Sequence, residues 1–155
     1  MSSLSTTEVR SRIMSSIHSA NTKPEIALRR ALWKRGLRFR IHYGKERIDI
    51  AFPRAKFGVF VDGCFWHMCP MHCTLPKSNV EYWHPKLRRN IERDIEKDKR
   101  LTIAGWTIIH VWEHELENPG RVAIKIVRML ATTSHSSGLK EKSKVNCENR
   151  IAVPK

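Results

Sequence analysis

Within the ten residues Cys64-Phe65-Trp66-His67-Met68-Cys69-Pro70-Met71-His72-Cys73 the chain carries three thiols and two imidazoles. Zinc takes four such donors in a tetrahedral array, and a site closed by thiolates and imidazoles stabilises a fold without catalysing anything. Cys64 and Cys69 are the first two donors this spacing offers. The third is His72 or Cys73, with His72 favoured. The fourth must come from elsewhere in the chain, and His114, just past an apolar run at 107–112, is the natural choice. A donor from a distant strand would pin the loop to a sheet, which matters for a loop with little apolar core of its own. The alternative is that these cysteines are small apolar residues beside a histidine-rich surface, and the density of donors argues against it. Catalytic zinc needs an open position, whereas this cluster supplies enough ligands to close one.

A second chemistry resides in carboxylates. Asp49 interrupts the apolar stretch Ile48-Asp49-Ile50-Ala51-Phe52. A buried carboxylate there costs several kcal/mol unless it meets a cation, and magnesium, which prefers hard oxygen ligands, would supply one. Strand alternation allows Asp49 equally to face solvent. Asp62 shares the ambiguity, as a second carboxylate or a turn residue. His67 is either another zinc ligand or a general base near Asp49. Glu25 is fully explained by helix capping, and composition alone does not break these ties. Phe65, Trp66, Tyr82 and Trp83 stand in polar, basic surroundings rather than at core periodicity. Such side chains can wedge between base steps, or pack around the metal loop, a reading easier to hold for one of them than for all four.

These residues need elements to position them. Thr22 and Glu25 have the spacing of a capping box, Pro24 fits a first helical turn, and Gly36 suits the left-handed residue after the helix, whose buried face is Leu28, Ala31 and Leu32. Strands are predicted at 38–42, 47–52 and 57–61, forming an antiparallel meander. A long charged helix is predicted over 85–104, ended by Gly105. The β-branched run 107–112 reads as a buried strand, and 119–132, with Val122, Ile126 and Met129 at helical spacing, as a closing helix. The order is α/β with a mixed sheet. Residues 1–20 are expected to be a flexible arm that orders on contact with a partner. Residues 133–155 are expected to be a disordered tail, in which Cys147 is a free thiol.

At 155 residues the chain is sized for one domain. It carries 29 Lys and Arg against 15 Asp and Glu. The excess persists without residues 133–155, which hold five positive and two negative side chains. Counterion release makes nucleic acid the leading partner of such a body. No apolar run approaches a membrane span, and the N-terminus lacks the apolar stretch of a secretory signal. A cytoplasmic protein is expected.

The motifs Ile48-Asp49-Ile50, Asp62-Gly63-Cys64-Phe65-Trp66-His67, Tyr82-Trp83, Lys86, Asn90 with Arg93-Asp94, and Gly105-Trp106 followed by Val111-Trp112-Glu113-His114 resemble those of the very short patch repair (Vsr) endonucleases. With Met14 and Glu25 the resemblance runs from residue 10 to about 130. It implies a restriction-endonuclease-like core at 21–132, with a central mixed sheet flanked by helices and a structural zinc. It also implies magnesium-dependent nicking of duplex DNA beside the T of a T:G mismatch left by deamination of methylated cytosine. By the same resemblance Asp49 is the magnesium ligand, assisted by the Val61 backbone carbonyl. His67 is the base that activates water, and Glu25 and Asp94 orient waters or His67. Phe65, Trp66 and Trp83 match the aromatics inserted beside the mismatch, and Met14, Lys86 and Asn90 match DNA contacts. Asp62 departs from the histidine that better-known members carry there, which leaves the number of catalytic metals open. Cys69 and His114 exchange thiolate and imidazole with their counterparts, which preserves zinc chemistry. The expected partners are mismatched duplex DNA and repair proteins, and the expected state is a monomer. The rival readings are a restriction endonuclease cutting matched DNA and a non-catalytic zinc-stabilised DNA-binding module.

Overall fold

A computed structural model describes residues 20–74 and 80–135 of the chain. Met14, nearly all of the expected arm, and the tail from residue 136 onward, including Cys147, lie outside the described residues. Helix α1, Lys23–Lys34, starts where a capping box predicts it: Thr22 is extended, its hydroxyl accepts from the Glu25 N–H, and the Glu25 side chain reaches back to the Thr22 N–H. Its inward face is Leu28, Ala31 and Leu32, with Glu25 also buried.

Strands β1 (Arg40–Tyr43), β2 (Ile48–Phe52) and β3 (Phe57–Asp62) form the expected antiparallel meander, and β4 (Thr107–Trp112) joins β3 in parallel, giving a mixed sheet of order β1-β2-β3-β4. Strand β1 begins two residues later than the sequence predicts. Its partner β2 ends at Phe52, and Pro53, which cannot donate to a ladder, opens a 3-10 turn there. Phe39 packs edge-on against Trp33 and Phe52 instead. The reading of β4 as a buried strand is corrected: it is an edge strand in which Val111 alone is fully buried.

Helix α2, Val80–Ile103, starts five residues before the predicted 85 and contains Pro85. A proline this close to the helix start forfeits one hydrogen bond near an exposed end, and Lys86 still reaches back one turn to the Tyr82 hydroxyl at 3.1 Å. Helix α3, Pro119–His135, runs three residues past the predicted 132. The hydroxyls of Thr132 and Thr133 donate to the Met129 carbonyl, so these residues are absorbed within the helix. Among the described residues no helix is long and apolar enough to cross a membrane.

Two cores flank the sheet. Leu28 and Leu32 of α1 and Val122, Ala123 and Ile126 of α3 close over Ile50, Phe57, Val59 and Val111. On the other side Leu101 of α2 meets Ala51 and Phe60, with Trp106 and Ile108 packed alongside. Backbone approach is closest at Gly58, where an added Cβ would lie 2.7 Å from Ile108 Cδ1 and 3.0 Å from Ile48 Cγ2. Strand alternation places Asp49 and Asp62 on the side of Ala51 and Phe60, towards α2, and that side carries the site.

Candidate active site and metal centre

Asp49 enters the site from β2. Its Oδ2 accepts the Val61 N–H of β3 at 2.9 Å. Burial pushes its carboxyl up to about 6, against the pull of that hydrogen bond, and the nearby charges of Glu25 and Asp62 push the same way. Among the described residues no Lys or Arg pairs with it. Glu25 comes from the first turn of α1. Arg29 grips its Oε2 at 2.7 Å, the Asn21 N–H donates to the same oxygen, and the Thr22 hydroxyl donates to Oε1 at 2.9 Å. The capping role that sequence assigns to Glu25 therefore coexists with a place in the site. His42 of β1 completes this corner: one donor atom each from Glu25, His42 and Asp49 lie within 4.8 Å of one another.

His67, in the loop after β3, is held through Nδ1 by the Asp94 carboxylate of α2 at 2.5 Å. Asp62, at the end of β3, is buried and bonds His110 Nδ1 at 2.8 Å, while His110 Nε2 lies 3.0 Å from both oxygens of Asp98 on α2. Asp62 is thus neither a solvent-facing turn residue nor an isolated carboxylate. Asp49, Val61, Asp62, Glu25, His67, Asp94, Trp66 and Lys86 line one cleft of about 830 Å³, together with His42 and His110. Sequence reasoning missed His42, Asp98, Arg29 and His110. A signal existed for His110, since an imidazole interrupts the apolar run Thr107–Trp112 as Asp49 interrupts its own strand.

Cys64, Cys69, His72 and His114 converge apart from this cleft. Cys64 Sγ and Cys69 Sγ lie 3.2 and 3.7 Å from His114 Nδ1, and Cys69 Sγ lies 3.8 Å from His72 Nδ1. Tetrahedral donors at zinc distances stand about 3.3–3.8 Å apart, so two thiols and two imidazoles at these separations fit the ion. Burial pushes the Cys64 thiol up to about 11, which a bound cation would reverse by claiming the thiolate. Cys73 stands outside the cluster, its Sγ directed at the Phe65 carbonyl. His67 stands outside it as well.

The four aromatics pack on one another. Phe65 meets Trp66 and Trp83 edge-on at centroid distances of 5.1 and 5.3 Å, and Tyr82 meets Trp83 at 5.2 Å. Trp83 of α2 reaches Phe65 and Trp66 of the loop, whereas Tyr82 meets Trp83 and stays 59% exposed, so the packing reading extends to three of the four. Lys86 Nζ stands over the Trp66, Tyr82 and Trp83 rings at 5.2–5.6 Å, and Asn90 donates to the Trp66 carbonyl at 3.4 Å. A shallower depression beside them is bordered by Lys86, Arg89, Asn90 and Arg93.

A cleft of carboxylates and a held imidazole, next to a cationic aromatic wall, has the makings of a phosphodiester hydrolase. Comparison with known proteins agrees. The family described as DNA mismatch endonuclease Vsr matches residues 2–74. The chain is 50% identical over 113 residues to the type II nicking enzyme V.NaeI of Lentzea aerocolonigenes, covering 68% of each chain. It is 41% identical over 124 residues to the type II nicking enzyme V.NmeAIP of Neisseria meningitidis, covering 76% of this chain and 86% of that one. To the DNA mismatch endonuclease Vsr of Escherichia coli it is 35% identical over 109 residues, covering 67% and 69%. The chain belongs to the Vsr endonuclease family, and is a DNA endonuclease.

Proposed function

We propose that the protein nicks the T-containing strand of duplex DNA at T:G mismatches left by deamination of methylated cytosine, using magnesium at Asp49 and a structural zinc at Cys64, Cys69, His72 and His114. Residues 21–132 form the catalytic domain, with a restriction-endonuclease-like core, and act as a monomer. The observation that carries the reading is the pairing of His67 with Asp94 in the cleft that also holds Asp49. The Asp94 carboxylate accepts a hydrogen bond from Nδ1–H, which keeps the proton on Nδ1 and leaves Nε2 as the basic nitrogen, the tautomer a general base requires. Magnesium, when bound, stabilises charge developing on the phosphate and lowers the pKa of bound water. Asp49 and the Val61 carbonyl would hold it, and His67 would accept the proton of the attacking water. Glu25, fixed by Arg29 and Asn21, and Asp62, fixed by His110, would orient the attacking water.

Phe65, Trp66 and Trp83 form a braced wedge rather than separate blades, and Lys86, Asn90 and Met14 contact the backbone and bases beside it. A mismatched step yields to a wedge because its stacking and pairing are already weak. The names of the relatives, mismatch endonuclease and nicking enzyme, support one-strand cleavage.

The test is single-turnover cleavage with magnesium on duplexes carrying T:G or C:G at one site, each strand labelled separately. The expected result is one nick beside the T, absent from matched DNA. Asp49→Ala should bind but not cut, and Trp66→Ala should lose the mismatch preference. Scission of both strands of matched DNA would make the protein a restriction endonuclease. Nicking by Asp49→Ala at the normal rate would remove the central claim.

A further inference from the structure

His42 has no role in the reading above, yet its position is built. The β1–β2 register pairs Ile41 with Ile50 and Tyr43 with Ile48, which brackets His42 and Asp49 between two paired positions. A donor atom of His42 lies within 4.8 Å of one on Asp49. His42 holds a left-handed backbone, φ 46°, in the middle of the strand, a conformation that non-glycine residues seldom adopt. Its ring is half-buried, lines the cleft, and has Nε2 3.4 Å from the Asn21 amide oxygen. Oxygens of this kind fix metal-bound imidazoles through the nitrogen that does not ligate. Asn21 also donates its N–H to Glu25, so one residue braces two of the three donors gathered at this corner.

The donor set is two carboxylates and one imidazole. Carboxylates alone suit magnesium, calcium and manganese, whereas an imidazole shifts preference towards the transition series. We propose that His42 is a third protein ligand of the cation held at Asp49, with Glu25 beside it, and that the centre therefore takes Mn2+ more tightly than Mg2+. This rests on the reading of Asp49 as the metal carboxylate and adds the nitrogen donor and the metal preference.

The test uses the zinc-loaded full-length protein without DNA, titrated with Mn2+ and followed by electron paramagnetic resonance, with pulsed echo detection of 14N coupled to the bound ion. Asparagine tolerates left-handed backbone, so His42→Asn is the variant most able to keep the strand, and His42→Gly is the second. The wild type should bind Mn2+ with an imidazole 14N coupling, and Mg2+ should displace it only in large excess. Either variant should lose the coupling and bind Mn2+ roughly tenfold or more weakly, at least what losing an outer partner costs. Retained coupling in both variants, unchanged Mn2+ affinity, or no Mn2+ bound by the wild type would overturn the assignment. Mn2+ binding that survives intact in Asp49→Ala would overturn it too, since the two residues would then not share an ion. The strand-specific nicking assay is independent of these readings: its failure sinks the enzymatic reading while the Mn2+ spectra still decide the donor set.

Discussion

Asp49 carries its charge against its surroundings. Its carboxyl ionises at about 6 rather than 3.8, chiefly because of burial. A raised acid pKa means that the folded state binds the proton more tightly than the unfolded one. The fold is therefore unburdened below pH about 4, loses stability as pH rises from there through about 6, and stays burdened above. Asparagine removes the charge and can still accept the Val61 N–H. Asp49→Asn without added magnesium should thus be more stable than the wild type at pH 7.5, by at most about 3 kcal/mol, and the gap should close below pH 4. Thermal melts across pH check this. A wild type as stable as the variant at pH 7.5 would show that the carboxylate already has a cationic partner. The same side chain that destabilises the resting fold is the one whose charge a divalent cation would neutralise.

At the scale of elements, the start of α1 serves both fold and site. Thr22 caps the helix and its hydroxyl donates to Glu25 at 2.9 Å. Thr22→Ala should cost about 1 kcal/mol of stability, as lost caps do, and should also slow nicking, because Glu25 loses a restraint. Denaturant melts beside single-turnover rates separate the two effects, and an unchanged rate would leave Glu25 as a cap alone. The capping box, the meander and both helix ends marked by Gly36 and Gly105 were legible because their signals are local. The Cys/His cluster was legible for the same reason, three of its four members falling within nine residues, and His72, narrowly favoured over Cys73, is the one that joins it. What stayed hidden depends on pairing. His42 faces Asp49 only once the β1–β2 register is known. His110 meets Asp62 across 48 residues and Asp98 across 12. The run Thr107–Trp112 has the composition of a buried strand, but edge or centre is decided by strand order, which no strand encodes by itself.

For the whole molecule, the basic excess and the described fold together make a claim about which parts bind DNA. Residues 133–155 hold five positive and two negative side chains of a total of 29 and 15, so a chain shortened after His135 keeps most of its positive excess. If that body neutralises about six phosphates, log affinity should fall with log salt at a slope near −5, and removing 136–155 should leave both slope and melting temperature nearly unchanged. Residues 1–19 differ in kind. They add little net charge, but Met14, which resemblance places beside the mismatch, is among them. Removing them should leave the salt slope alone and reduce the preference for T:G over matched duplex. Binding isotherms at several salt concentrations on both duplexes read the two quantities separately. A collapse of the slope on tail removal would move the electrostatic surface out of the folded body. Unchanged mismatch preference without residues 1–19 would assign discrimination to the wall of Phe65, Trp66 and Trp83 with Lys86 and Asn90 beside it, because these remain to feel the weakened step.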